Sequence, residues 1–318
     1  MKKEDLIPNI PHHHHYVPQR YLSKWLNDDN QFYVLDLDTN KVKTKGTKSV
    51  CFETDLYNLE SLTCDERKII DSLIKEFPLE IKNIIYELGN RNINIETNND
   101  KILNEINNIL KQNKTEIDKI NIKIGEALLT DIENSLGNDI WNALYNKDVS
   151  FANNKQLEID FYSYIFTQMF RTIKFKNLLK MQLKEFSLEA KMDLSIDRLF
   201  PYLIVILSIR GANGFISFNH YNISFLESDN SSHITFITSD NPIINLCGKN
   251  NDLGNHADYE LYWPLTPSLA MLITDKNNDV KTLLNDNDIK RYNELIKLNA
   301  NKYLISNDMI SLEEFKKK

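Results

Sequence analysis

The chain has 318 residues, a net charge of −7 at pH 7 and a pI near 5.6, with 42% hydrophobic and 26% charged residues. That balance is a globular one and excludes a wholly disordered chain, while 8 Gly and 8 Pro exclude collagen-like and linker-rich designs. The acidic balance argues against non-specific polyanion binding over a broad face but leaves room for a local basic pocket. The length allows two domains, or one large domain with a lobe.

The first patterned stretch is Pro18–Leu26. Val17 precedes a proline and is pushed to extended backbone, which places Pro18 as the first helical residue. Tyr21, Leu22, Trp25 and Leu26 then share one face. Gln31–Asp38 alternates like a strand, Asp38-Thr39-Asn40 is turn material, and Lys41–Ser49 reads as the returning strand of a hairpin. Thr63-Cys64-Asp65-Glu66 fits a capping box ahead of apolar residues at helical spacing through Leu88. Pro78 predicts a kink or two abutting helices there, and Gly89 a stop. Further helical patterns run over 99–112, 116–147, 155–188 and 195–210. The apolar run Leu203–Leu207 is too short to span a membrane and reads as core.

From Gly214 the period shifts towards two. Strands are expected at Phe215–Phe218, Ile223–Leu226, His233–Thr238, Glu260–Trp263, Leu269–Thr274 and Tyr303–Ser306, with helix over Asp286–Leu298 and a last helix or tail over Ser311–Lys317. Helices and strands come in runs, so the expected class is α+β, a mostly helical centre packed on a mainly antiparallel sheet. That sheet would be built from the N-terminal hairpin and the C-terminal strands. The dinucleotide, P-loop, zincin and nucleophile-elbow signatures are absent.

The three cysteines, Cys51, Cys64 and Cys247, contain no C-x-x-C pair, which predicts a reducing, cytoplasmic setting and excludes a four-cysteine zinc site. The first residues lead into no apolar segment, so no secretory signal is expected. The abundant asparagines are dispersed rather than clustered.

Three segments carry candidate chemistry. In His12-His13-His14-His15-Tyr16-Val17-Pro18-Gln19-Arg20-Tyr21-Leu22, extended backbone sends His14 and His15 to opposite faces. The run leads to a helix N-terminus, a place for an anion, where Gln19 and Arg20 can add donors. An imidazole there can move a proton near neutral pH, two imidazoles can hold a divalent metal, or the histidines can serve structure alone. In the second segment, Glu158–Phe170 is apolar nearly all round, and Gln168 and Arg171 sit three apart on it. A buried guanidinium there needs a carboxylate or an anion. In the third, Thr238-Ser239-Asp240-Asn241-Pro242 ends a strand. Asp240 and Asn241 can close an Asx-type turn, or Asp240 can be a catalytic carboxylate, a metal ligand or the partner of Arg171. His220, His233 and His256 show no partner pattern.

The opening H-H-Y-V-P-Q-x-Y-L over His14–Leu22 resembles that of the bacterial domain of unknown function 4238 family. Thr238–Pro242 resembles its T-S-D-N-P, and Pro264-Leu265-Thr266-Pro267 its later P-L-S/T-P. Asn299 and the Tyr303–Ser306 strand fit its closing section, and Glu76 resembles a glutamate of its first long helix. Gln168-Met169-Phe170-Arg171-Thr172-Ile173 resembles its Q-x-x-R-T-P without the proline, so the helix is expected to run on where the family kinks. The resemblance implies a single domain over 1–318, with an N-terminal His segment and hairpin (1–60), a helical lobe (61–212) and a strand-rich lobe (213–318).

The resemblance assigns no reaction. Convergence of His14, His15, Arg171 and Asp240, with Gln19, Gln168, Asn241 and Glu76 binding, would suit hydrolysis at a phosphodiester. Arg171 would neutralise phosphate, a histidine would move the proton, and Asp240 would orient it or hold a divalent metal. The leading expectation is therefore a phosphodiester-directed hydrolase, a nuclease effector of bacterial toxin or phage-defence type, acting on nucleic acid or a nucleotide. The alternative is a non-enzymatic sensor or interaction protein with a buried polar network or a small-anion site. An open cleft at the His14/His15 end would mark the enzyme, and a sealed network the alternative. No basic amphipathic helix supports a membrane-surface role.

Overall fold

A short extended segment, β1 (His13–His15), leads to a turn of helix, α1 (Gln19–Leu22), that tightens into a 3-10 turn at Ser23–Trp25. Pro18 keeps an extended ψ of 137° and is the N-cap rather than the first helical residue. A four-residue helix also sums too few peptide dipoles to make the expected anion site. The structure is a computed structural model that describes residues 13–89, 133–134, 136–218, 221–229, 231–247, 259–274 and 281–316.

The hairpin forms as β2 (Phe32–Asp36) and β3 (Lys41–Lys45), and β4 (Phe52–Thr54) follows. The capping box is made at α2 (Cys64–Ile74), where the Glu66 carboxylate accepts from Thr63 N–H at 2.8 Å. Pro78 separates it from α3 (Leu79–Gly89). The pattern over 99–112 and most of that over 116–147 lie outside the described residues, as do His220 and His256; its last part is α4 (Gly137–Tyr145).

The single helix expected over 155–188 is two, α5 (Lys155–Phe170) and α6 (Ile173–Ala190). Arg171 caps the first at ψ −2°, and the Thr172 hydroxyl accepts from Phe175 N–H at 3.3 Å to start the second. A side-chain cap thus makes the break without a proline. α7 (Ile196–Phe218) runs straight through the strand expected at Phe215–Phe218. Phe215 serves helix packing, with its ring centroid 4.9 Å from Phe166 and 5.6 Å from Tyr162. By length and composition α7 could cross a membrane, yet Phe200, Ile204 and Ile206 are fully buried within the protein, as in a core helix.

The rest of the chain gives β5 (Asn222–Ser228), β6 (Thr238–Ser239), β7 (Ile244–Asn245), β8 (Glu260–Thr266), β9 (Leu269–Thr274), β10 (Leu283–Leu284), α8 (Asp286–Asn299), β11 (Tyr303–Ser306) and α9 (Ile310–Glu313). The strand expected over His233–Thr238 is reduced to β6, because the backbone before it bonds side chains instead of a ladder. Asn293 takes the Ile237 N–H at 3.0 Å and gives to the Thr235 carbonyl at 2.9 Å.

The class is α+β. One sheet, in the order β3-β2-β11-β6, joins the N-terminal hairpin to C-terminal strands, and a second has the order β10-β5-β9-β8-β7. Among the described residues of these two sheets, β10 with β5 is the parallel pair.

The chain divides into two compact units. The first takes residues 1–14, 53–131 and 179–207, and its core includes Tyr57, Ile70, Ile74, Leu199 and Phe200. The second takes 15–52, 132–178 and 208–318 and holds both larger sheets, with Tyr21, Trp25, Trp141, Phe161, Ile165 and Trp263 in its core.

In the second unit α7 approaches α5 so closely that a Cβ at Gly211 would overlap the Phe166 ring, whereas a Cβ at Gly214 meets nothing within 4 Å. The two glycines therefore respond in opposite directions. Gly211→Ala is expected to cost roughly 1–3 kcal/mol through overpacking, and Gly214→Ala to gain up to about 1 kcal/mol of helix propensity. Urea unfolding of the two variants checks this, and effects of the same sign would show that the contact is not tight.

Candidate functional site

The opening motif segment is a core element of the second unit. Tyr16, Val17, Tyr21, Leu22 and Trp25 are all at most 3% exposed. Buried backbone must be hydrogen-bonded. Tyr16 N–H donates to the Cys51 carbonyl at 2.9 Å, and the Tyr16 carbonyl accepts from Gln168 Nε2 at 3.0 Å. One residue earlier, the His15 carbonyl accepts from Arg171 Nη2. Arg171 Nη1 pairs with Glu133, and Arg171 is 2% exposed. Gln168 and Arg171 thus meet successive carbonyls of the motif. The carboxylate that answers Arg171 is Glu133, which sequence reasoning did not single out. Gln168 Oε1 finds no partner among the described residues.

Tyr21 joins two further motif segments. Its hydroxyl donates to the Pro264 carbonyl at 2.6 Å and shares a 2.7 Å hydrogen bond with Thr238 Oγ1. The Tyr21 ring centroid is 6.2 Å from that of Trp25 and 5.8 Å from that of Trp263. Burial pushes the phenol far above its ordinary range, so it stays a neutral donor.

Asp240 is 1% exposed, and its two carboxylate oxygens accept from Asn301 N–H at 2.9 Å and Lys302 N–H at 2.8 Å. It is therefore not the partner of Arg171, and among the described residues no cation forms an ion pair with it. Its field does reach Lys174 and the buried Cys51 thiol. Burial, and then Asp240, push that thiol well above its ordinary range. Burial raises the Asp240 carboxyl from the ordinary 3.8 to about 6, against the opposing pull of its N–H donors. Asn241 fastens the turn, donating from Nδ2 to the Asn299 carbonyl at 3.0 Å.

The remaining candidates each have their own surroundings. His15 is half-buried, its ring edge-on to Phe52 at 5.7 Å. Gln19 is exposed and accepts from the Thr47 hydroxyl at 3.5 Å. In the first unit, His14 is fully buried, stacked on Tyr57 at 5.4 Å, and its Nδ1 accepts from Tyr57 N–H at 3.1 Å. An accepting Nδ1 fixes the neutral tautomer protonated at Nε2. Glu76 is exposed in the turn after α2 and makes no side-chain bond among the described residues. The buried acid of that helix is Glu66, 0% exposed, which accepts from Arg198 Nε at 2.9 Å and Ser195 N–H at 2.8 Å. Burial alone would raise its carboxyl, but Arg198 and the N–H donors outweigh that and hold it below the usual carboxylate range. Its place in the capping box was the signal available. Among the described residues no cluster of His, Cys, Asp or Glu is arranged to hold a metal ion.

A family profile for "Protein of unknown function (DUF4238)" matches residues 13–309, and the chain belongs to that family. No curated protein and no solved structure matches it.

The Asp240 shift sets a pH test. Between about pH 4 and about pH 6 the folded chain holds this proton more tightly than the unfolded chain, so its contribution to stability falls as pH rises, by about 1.4 kcal/mol per pH unit, and is flat above. The stability of the parent minus that of Asp240→Asn is expected to shrink across this window in urea unfolding. A difference that grows with pH would mean that the two N–H donors outweigh burial.

Proposed function

We propose that the chain is a non-enzymatic sensor or interaction protein in which the motif residues hold the N-terminal segment in the core. The observation that carries this reading is the state of Arg171: 2% exposed, with its guanidinium engaged by Glu133 and the His15 carbonyl. Asp240 and His14 support it in the same way. Each is at most 1% exposed; both Asp240 carboxylate oxygens and Nδ1 of His14 accept from backbone N–H groups. A phosphodiester hydrolase would need these groups turned towards substrate, with Arg171 on the phosphate and an imidazole nitrogen within reach of the moving proton. Their burial gives that reading less support.

The chemistry of the family is not assigned by its description, so the test must separate structure from turnover directly. Arg171→Met strands the His15 carbonyl, and breaking a buried pair costs roughly 3–5 kcal/mol. The unfolding midpoint of Arg171→Met is expected to drop sharply. The parent is expected to show no turnover of bis-p-nitrophenyl phosphate, single-stranded DNA or RNA, with or without Mg²⁺ or Mn²⁺. Turnover by the parent that vanishes in Arg171→Met while the midpoint holds would replace this reading with the hydrolase.

A further inference from the structure

α8 presents two faces in the second unit. Ile289, Asn293 and Ile296, at i, i+4 and i+7, are fully buried. The adjacent face, Asp288, Arg291, Tyr292 and Leu295, lines a groove of about 570 Å³ together with Leu246, Glu260, Lys281, Leu272 and Leu284. That volume lies in the range of small-molecule sites. Leu272 and Leu284, at 3% and 2% exposure, give it an apolar floor. Tyr292 stands over that floor, held by stacking on Tyr262 at 4.6 Å and 18°.

The charges on the rim are unevenly used. Lys281 is paired with Asp288. Arg291 makes no hydrogen bond or ion pair among the described residues; its charge reaches the Asp288 carboxylate and, after that of Glu260, the Tyr292 hydroxyl. One available guanidinium and one phenol therefore stand beside a leucine floor. A guanidinium fork matches a carboxylate with two parallel N–H···O bonds. The Glu260 and Asp288 carboxylates on the same rim oppose a doubly charged head more strongly than a singly charged one.

We propose that the groove between α8 and the β10-β5-β9-β8-β7 sheet binds an amphipathic monocarboxylate, with its carboxylate on Arg291 and Tyr292 and an aliphatic body of roughly ten carbons on the leucines. This rests on the sensor reading and names the class of molecule sensed. None of the motif residues lines the groove.

Isothermal titration of the full chain with decanoate, decan-1-ol and decylammonium tests it. Decanoate is expected to bind at one site per chain, at least about tenfold tighter than either of the other two. Arg291→Gln, at an exposed position, is expected to weaken decanoate at least about tenfold and to leave decan-1-ol unchanged. Arg67→Gln, at a separate cavity in the first unit, is expected to change neither. No saturable decanoate binding, equal binding of all three probes, or decanoate binding indifferent to Arg291→Gln would each overturn the proposal. Phosphodiester turnover by the parent would overturn the sensor reading instead, and that is measured independently of decanoate.

Discussion

A phenol hydroxyl taken out of water must find partners where it lands, and the second unit is arranged around one such group. Tyr21 is 1% exposed, and its hydroxyl is both donor and acceptor, to the Pro264 carbonyl at 2.6 Å and with Thr238 Oγ1 at 2.7 Å. An unmet polar group here would cost about 1–3 kcal/mol. One oxygen therefore fixes where the N-terminal motif, β6 and β8 meet. The aromatic residues around it follow from that requirement. Trp263 packs on Tyr21, Tyr164 and Trp141 at 5.5–5.8 Å between centroids, closing the hydroxyl off from solvent.

The spacing of Gln168 and Arg171 has a similar physical origin. Residue 15 ends β1 and residue 16 lies in the bend that follows, so neither carbonyl is met by helix bonds. Consecutive Cα atoms in such a segment lie about 3.8 Å apart, and three residues of α-helix advance about 4.5 Å. Two side-chain donors three apart on α5 can therefore reach two successive carbonyls. Arg171 brings a charge as well, which Glu133 meets. Arg171 is itself the C-cap of α5, and the Thr172 hydroxyl then starts α6. These residues are occupied in holding the segment, whereas the groove beside α8 has volume and a cation, Arg291, that makes no hydrogen bond or ion pair among the described residues. α8 links the two regions, since Asn293 on its buried face ties the backbone leading into β6.

Much of this was legible in the amino-acid sequence, because local signals and burial agreed. The all-round apolar pattern of Glu158–Phe170 identified α5 and made Gln168 and Arg171 conspicuous as buried polar groups. The capping box at Thr63 and the strand at Tyr303–Ser306 formed where expected. The misreadings arose where one residue served two purposes. Glu66 was readable as a cap, and its second role, receiving Arg198 from 132 residues away, leaves no local trace. Tyr21 looks like any apolar helix residue until its hydroxyl is placed. Asp240 reads as a turn residue bonding its own backbone, yet its acceptor oxygens serve residues 61 and 62 positions later. Phe215–Phe218 alternates like a strand, but Phe215 has its packing partners on α5.

The central claim is that the motif residues form a buried frame through Tyr21, and a double-mutant cycle tests it most directly. Unfolding free energies of Tyr21→Phe, Thr238→Val and the pair should be compared with the parent. The frame predicts a loss of about 1–3 kcal/mol for Tyr21→Phe, because the Pro264 carbonyl is left unmet, and a coupling with Thr238→Val of at least about 0.5 kcal/mol. Single variants within about 0.5 kcal/mol of the parent that simply add would contradict it.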